Sequence, residues 1–213
     1  MTPEFSAAID PVFAHVLDLL DRIGKRERVD PEREQMFIKD RLSKAENAGL
    51  PATAWKPAKF ALVAWIDEVL IDASWNGSVW WNDNVLEFEF FRTRDRGTVF
   101  YTNATEVQRS QGLRDALEVY YLCVFLGFRG LYRDPAAAVG IAEHWGLPRR
   151  LEDWVEQTAM AVTARKLPAL ETAGVPGPGA PPLDGSRVMF TFLLMMAISF
   201  GLVFVALLVK SIL

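Results

Sequence analysis

Cysteine and histidine are nearly missing from this chain of 213 residues, which holds one Cys and two His. Cys123 alone cannot form an internal disulfide, and its isolation fits a reducing compartment. It lies in the apolar run Tyr120 to Phe128 with nothing in sequence to lower its pKa, so it reads as a small core hydrophobe rather than a nucleophile. His15 and His144 have no second ligand at helical spacing, so no metal site and no cofactor site is predicted. His15, between Ala14 and Val16, reads as a partly buried polar residue. GxSxG, GxGxxG and a phosphate-cradling loop are also absent, and no catalytic residue is assigned. Strand-like alternation is missing except over Val85 to Phe91, where a short helix is the preferred reading. The first twenty residues carry Glu4, Asp10 and Asp18 but no Lys or Arg, which excludes a secretory signal and predicts a cytoplasmic body.

What the chain does have is one long apolar run. Val188 to Val209 (VMFTFLLMMAISFGLVFVALLV) carries no charge, and as a helix it would cover roughly 33 Å, the thickness of a bilayer's hydrocarbon core. Residues 187–210 are therefore predicted to be a single membrane anchor with the N-terminal body in the cytoplasm and the short tail, 211–213, outside. Arg187 and Lys210 flank the span one on each side, so the positive-inside rule does not set the orientation. Ala197 and Gly201 form a small-xxx-small pair that would let another membrane helix approach, including one from a second copy of the chain. Ahead of the anchor, 173–186 (AGVPGPGAPPLDGS) is rich in Pro and Gly and reads as a tether.

The body, 1–172, is large enough for a core of its own. All 27 acidic residues but only 21 of the 23 basic ones precede the anchor, leaving the body and tether together at −6. Nucleic acid is therefore an unfavourable partner, since binding it relies on clustered Lys and Arg.

Helix signals punctuate the body throughout. Asp10-Pro11 and Asp30-Pro31 each offer an N-cap followed by Pro in the first turn. A first helix is predicted from Asp10, a second from Pro31 to about Ala48, and a third, apolar nearly all round, from Pro57 to Ala73. Asn76-Gly77 marks a reversal. Further helices are predicted over Val85 to Phe91, Thr98 to Arg109, Leu113 to Phe128, Pro135 to Trp145 and Pro148 to Lys166. The expected architecture is all-α, an irregular bundle of seven or eight helices arranged as two small sub-bundles, plus the C-terminal transmembrane helix.

Two carboxylates interrupt the most apolar helix. Asp67 and Glu68 must be solvated, paired or in contact with a partner, because an unpaired buried charge costs several kcal/mol. Three readings stand: a structural role as an exposed edge, a cap or an Arg pair; contact with a partner; or acid and base catalysis. Adjacent helical residues point about 100° apart, which is poor geometry for a shared reacting group. Trp65, Trp75, Trp80 and Trp81 crowd the same region, with Phe88, Phe90 and Phe91 close behind. Most should fill the core, while Trp80 or Trp81 is a candidate interface anchor. Asp67, Glu68, Trp80 and Trp81 are thus the candidate partner-binding residues.

Three blocks carry a resemblance: FALVAWIDEVLIDASW (Phe60 to Trp75), LEFEFFRTRDRGTVFY (Leu86 to Tyr101) and LEVYYLCVFLGFRGLY (Leu117 to Tyr132). Together they resemble the DotU/IcmH family, which includes the TssL subunit of type VI secretion systems. The resemblance implies an all-helical cytoplasmic domain of two small bundles on one C-terminal membrane helix. It also implies a non-enzymatic inner-membrane scaffold of a type VI, or related type IVB, secretion complex. Its expected partners are an IcmF/TssM-like membrane protein and a TssK-like baseplate protein. The family's acidic pair falls on Asp67 and Glu68, which favours the partner-contact reading, and replacing both by lysine is expected to weaken recruitment with helicity intact. This chain departs from the family pattern at Gly97-Thr98, where Gly-Glu is frequent, and at Phe91-Arg92, where Phe-Gly is common. The alternatives are a membrane-tethered enzyme using Asp67 and Glu68, and a tail-anchored assembly adaptor unrelated to secretion.

Overall fold

The computed structural model describes residues 1–164, and regular structure among them is helical throughout, with no strand. The elements are α1 (Pro3–Gly24), α2 (Pro31–Glu46), α3 (Ala52–Asp72), α4 (Ser78–Asp83), α5 (Leu86–Phe91), α6 (Arg96–Arg109), α7 (Arg114–Phe125), a 3-10 turn over Gly130–Arg133, α8 (Pro135–Trp145) and α9 (Leu151–Thr163). The all-α expectation holds over these residues. Seven of the nine α-helices have eleven residues or more, and α4 and α5 have six each. Each of the eight expected helices is present, and α4, too short to show a helical period, is an addition to them. The tether 173–186, the anchor 187–210 with Ala197 and Gly201, and the tail 211–213 lie outside the described residues. No described helix is long and apolar enough to cross a membrane.

The first helix corrects the sequence reading. It begins at Pro3 rather than at Asp10, so Pro11 sits inside it and Asp10 accepts the Ser6 hydroxyl at 2.7 Å instead of capping. An interior proline costs about 3 kcal/mol. Starting earlier buries Phe5 and Ile9 in register with Val12, Val16 and Leu19, at roughly 1.5–3 kcal/mol each, and that burial wins. Asp30 does cap α2 as expected, accepting from the Glu32 and Arg33 amides, and Asp134 caps α8 in the same way. The third helix likewise starts at Ala52, ahead of Pro57. α7 stops at Phe125, short of Phe128, and Gly127 (φ +113°) turns the chain out of it. α9 spans Leu151–Thr163, inside the expected Pro148 to Lys166.

α3 is the axis of the body. Thirteen of its 21 residues are buried, and α4, α5, α6 and α7 all pack on it. Small residues let α7 come close: the Cys123 thiol lies 3.5 Å from the Ala61 carbonyl. Trp65 meets Phe13 of α1 at 5.0 Å between ring centroids and donates its indole N–H to the Leu126 carbonyl at 3.2 Å. Below α6, Phe100 stacks on Phe128 at 4.0 Å and meets Tyr120 edge-on at 4.7 Å, while Tyr101 meets Trp154 of α9 at 5.1 Å. Tilted and edge-on arrangements of this kind add to the area the rings bury. The α5 helix ends on Arg92 in the left-handed region (φ +60°), at the position where Phe-Gly is common in the family pattern.

Candidate partner-binding site

Asp67 and Glu68 lie near the C-terminal end of α3, and both are buried, at 0% and 4% exposure. They are not an exposed edge of the helix. Asp67 points at the α4–α5 corner. Its Oδ1 accepts the Trp81 indole N–H and the Leu86 amide, both at 2.9 Å, and its Oδ2 accepts the Glu87 amide at 2.8 Å. The geometry follows from local sequence: Val85 stands at the N-cap of α5 and has no acceptor to offer. Helix N-termini leave amides unsatisfied, and a carboxylate there also complements the helix dipole. Asp67 supplies from α3 the cap that α5 lacks.

Glu68 turns the other way. Its carboxylate accepts the Arg129 amide at 2.6 Å and the Gly130 amide at 3.1 Å, and pairs with Arg133 at 3.2 Å. Arg133 also holds Asp72 at 2.6 Å, one turn further along α3. The 3-10 turn is thereby tied to the central helix. It presses closely on α6: a Cβ on Gly130, which has φ +51°, would meet the Gly97 carbonyl oxygen at 2.8 Å. Of the structural readings of the pair, capping a neighbouring helix describes Asp67 and pairing with an arginine describes Glu68. The two carboxylates diverge, as successive helical positions must, and share no point where a reacting group could sit.

A third buried carboxylate escaped the sequence reading. Glu87 is fully buried, pairs with Arg96 at 3.1 Å and accepts the Thr93 hydroxyl at 2.7 Å. Its signal was present, a Glu between Leu86 and Phe88 in an aromatic run with Arg96 downstream, but only the fold shows that the two meet. Glu34 is another, buried against Arg22 at 2.7 Å and His15 at 3.1 Å. Burial and Arg41 pull the His15 imidazole below its usual value against the opposing pull of Glu34. Cys123 is fully buried and its thiol is raised well above the ordinary range by desolvation. No group of three or more metal-ligating side chains forms among the described residues.

The tryptophans divide. Trp81 is fully buried and donates to Asp67, whereas Trp80 is half-buried and meets it edge-on at 6.2 Å. The surface over this corner is instead Val79, at 73% exposure, and Phe88, at 47%, with the Arg92 and Arg94 guanidiniums 5.7 and 5.6 Å from the Phe88 ring. Asp67, Glu68 and Trp81 sit beneath the surface, so a partner would meet the loops they position. Charge reversal at the carboxylates would thus act on the fold, which revises the expectation that helicity survives it.

Burial pushes the Asp67 carboxyl up to about 6, while the Glu87 and Leu86 amides, the Trp81 indole and Arg96 hold it down. The folded body therefore binds a proton that the unfolded chain releases near its ordinary value of 3.8. Stability from this group is fully present below that value and is lost as pH rises through about 6. Asp67→Asn does not titrate. The gap in melting temperature between wild type and Asp67→Asn is expected to widen as pH falls from 7 toward 4. A gap that narrows over that range would mean the donors outweigh desolvation.

An all-helical body with this architecture uses its buried charges to tie loops to a central helix. Its relationship to known proteins is specific. The family model for the type VI secretion system protein DotU matches residues 4–212, and the chain belongs to that family. It is a component of type VI secretion. Among solved structures, the cytoplasmic domain of TssL from Acinetobacter baumannii has the same fold, with a TM-score of 0.59 at 23% identity, over 74% of this chain and 96% of that one. No curated protein matches the chain.

Proposed function

We propose that the chain is an inner-membrane scaffold subunit of a type VI secretion complex, acting by binding rather than by catalysis. Residues 187–210 hold it in the membrane, where it pairs with an IcmF/TssM-like protein. The body, in the cytoplasm, recruits a TssK-like baseplate component. Family membership carries this reading, supported by the polar interior: the oxygens of Asp67 are filled by backbone and indole donors, as Glu68's are by amides and Arg133. Those groups shape the α4–α5 corner and the 3-10 turn, whose outer faces are the contact surfaces.

One observation favours the enzymatic alternative. Glu68 and Arg133 line a cleft of about 270 Å³ with Arg94 and Arg96, an arrangement that could hold an anion. The Glu68 Oε1, however, already accepts from Arg129, Gly130 and Arg133, Oε2 is shared with the Gly130 amide at 3.2 Å, and Asp67 faces the opposite way, so no second acid or base joins it.

Deleting 187–210 in a bacterium that assembles the apparatus tests the scaffold. The body is expected to move to the soluble fraction, to lose co-purification with the membrane partner, and to keep its baseplate contact. Secretion should stop. Undiminished secretion by the truncated chain would overturn the reading.

A further inference from the structure

The body is acidic overall, yet its basic side chains are not evenly spread. Arg129, Arg133, Arg149 and Arg150 line one cavity of about 510 Å³, with Glu152 as the one acidic residue on its wall. This cavity shares Arg133 with the smaller cleft beside Arg94 and Arg96. At its other side it shares Arg129, Leu151 and Glu152 with a cavity of about 430 Å³. That second chamber is mostly apolar, floored by Tyr121, Val124, Leu151 and Val155 and edged by Phe125 at 75% exposure, with Glu152 and Glu156 also on its wall. The three hollows form one groove, running from α6 past the 3-10 turn to the space between α7 and α9.

Its guanidiniums are held in place from behind. Arg133 is held by Asp72 and by buried Glu68, while Arg149 and Arg150 make exposed pairs with Glu143 at 2.6 Å and, on the cavity wall itself, Glu152 at 3.2 Å. Arg129 donates through Nη1 alone to the Val124 and Phe128 carbonyls, leaving Nε and Nη2 without a partner among the described residues. A guanidinium offers five donors in a fixed fork. Holding it by one edge lowers the entropy lost when the other edge binds a carboxylate.

We propose that this groove receives an acidic, extended segment of a partner protein, its carboxylates on the arginines and one bulky apolar side chain in the chamber between α7 and α9. The proposal rests on the scaffold reading and names the chemistry of the partner. Shape favours a single extended chain over a lipid surface: the hollows hold only about 270 to 510 Å³ each, which suits side chains rather than a broad bilayer face. Charge decides the sign: six arginines outnumber Glu68, Asp72, Glu152 and Glu156 on the walls, so a basic segment would be repelled on balance and an uncharged one would leave the arginines unused. The apolar chamber supplies the anchor site that hot-spot binding requires.

The test uses the full-length chain in detergent and a short fluorescent peptide of Glu and Ser with one central Phe. Binding is expected, weakening with added salt as exposed charge pairs are screened. The variant Arg149→Glu/Arg150→Glu should lose roughly tenfold or more in affinity. Both positions are exposed, so helicity should match wild type by circular dichroism. Replacing the Phe of the peptide by Ala should weaken binding at least as much, and replacing its Glu by Lys should abolish it. Equal binding by wild type and variant overturns the proposal. So does capture of phosphatidylglycerol vesicles in place of the peptide, or saturation by inorganic phosphate with no contribution from the Phe. Co-purification of the same chain with the secretion apparatus is scored separately. Retained co-purification without peptide binding sinks the groove alone, and lost co-purification of wild type sinks the scaffold reading and the groove with it.

Discussion

The double variant Asp67→Lys/Glu68→Lys is expected to lose most of the body's helicity and its cooperative melting transition. Both side chains are buried. Lysine would bring two positive charges to a helix interior where seven hydrogen bonds or ion pairs now converge on carboxylate oxygens. Leaving a buried donor unsatisfied costs about 1–3 kcal/mol, and each unpaired buried ion costs several more. Their sum exceeds the margin of about 5–15 kcal/mol by which a domain is stable. Far-UV circular dichroism of the full-length chain is the measurement. Wild-type helicity in the double variant would mean that the two carboxylates reach solvent, and would return them to the role of direct contacts. The milder pair Asp67→Asn and Glu68→Gln keeps the volume and half of the acceptors, and separates loss of shape from loss of fold.

Phe100→Ala is expected to destabilise the body by about 3–5 kcal/mol, the range for removing a buried aromatic ring. Phe100 is fully buried and touches four rings: Tyr101 and Phe128, Tyr120 of α7, and Trp154 of α9. Phe128, stacked on it at 4.0 Å, immediately precedes the Arg129 and Gly130 amides bound by Glu68. The melting temperature should fall by roughly 10 °C, and the variant should also bind the acidic peptide less well. A melting temperature within the error of wild type would show that the cluster is not a continuous support beneath the 3-10 turn and α9.

These effects mark where local information stops. Asp30 could be recognised as a cap, and the structure adds Asp134 in the same role, because a cap acts within three residues, on its own helix. Asp10 looked identical to them and is not a cap, since the choice of starting point there was made by Phe5 and Ile9 finding cover against the rest of the body. Glu87 and Arg96 are nine residues apart and meet across the end of α5. Nothing in their spacing separates that pair from two solvated charges. Trp80 and Trp81 are neighbours in sequence, and which of them is buried was decided by the carboxylate waiting on α3. The arginines of the groove come from the turn after α7 and the segment before α9, and they looked like scattered surface charge until the chain brought them together.

By itself the sequence determined the all-helical class, the place of most helices, and the resemblance that family membership then bore out. Those follow from apolar spacing, caps and short motifs, which operate over one or two turns of chain. Tertiary structure alone decided which charges are interior, that Asp67 serves α5 from 19 residues away and Glu68 a turn 61 residues away, and that four arginines share one hollow. The reason is physical: burial and hydrogen-bond partnership are properties of the packed assembly, and a residue's own neighbours in sequence do not specify what folds back against it.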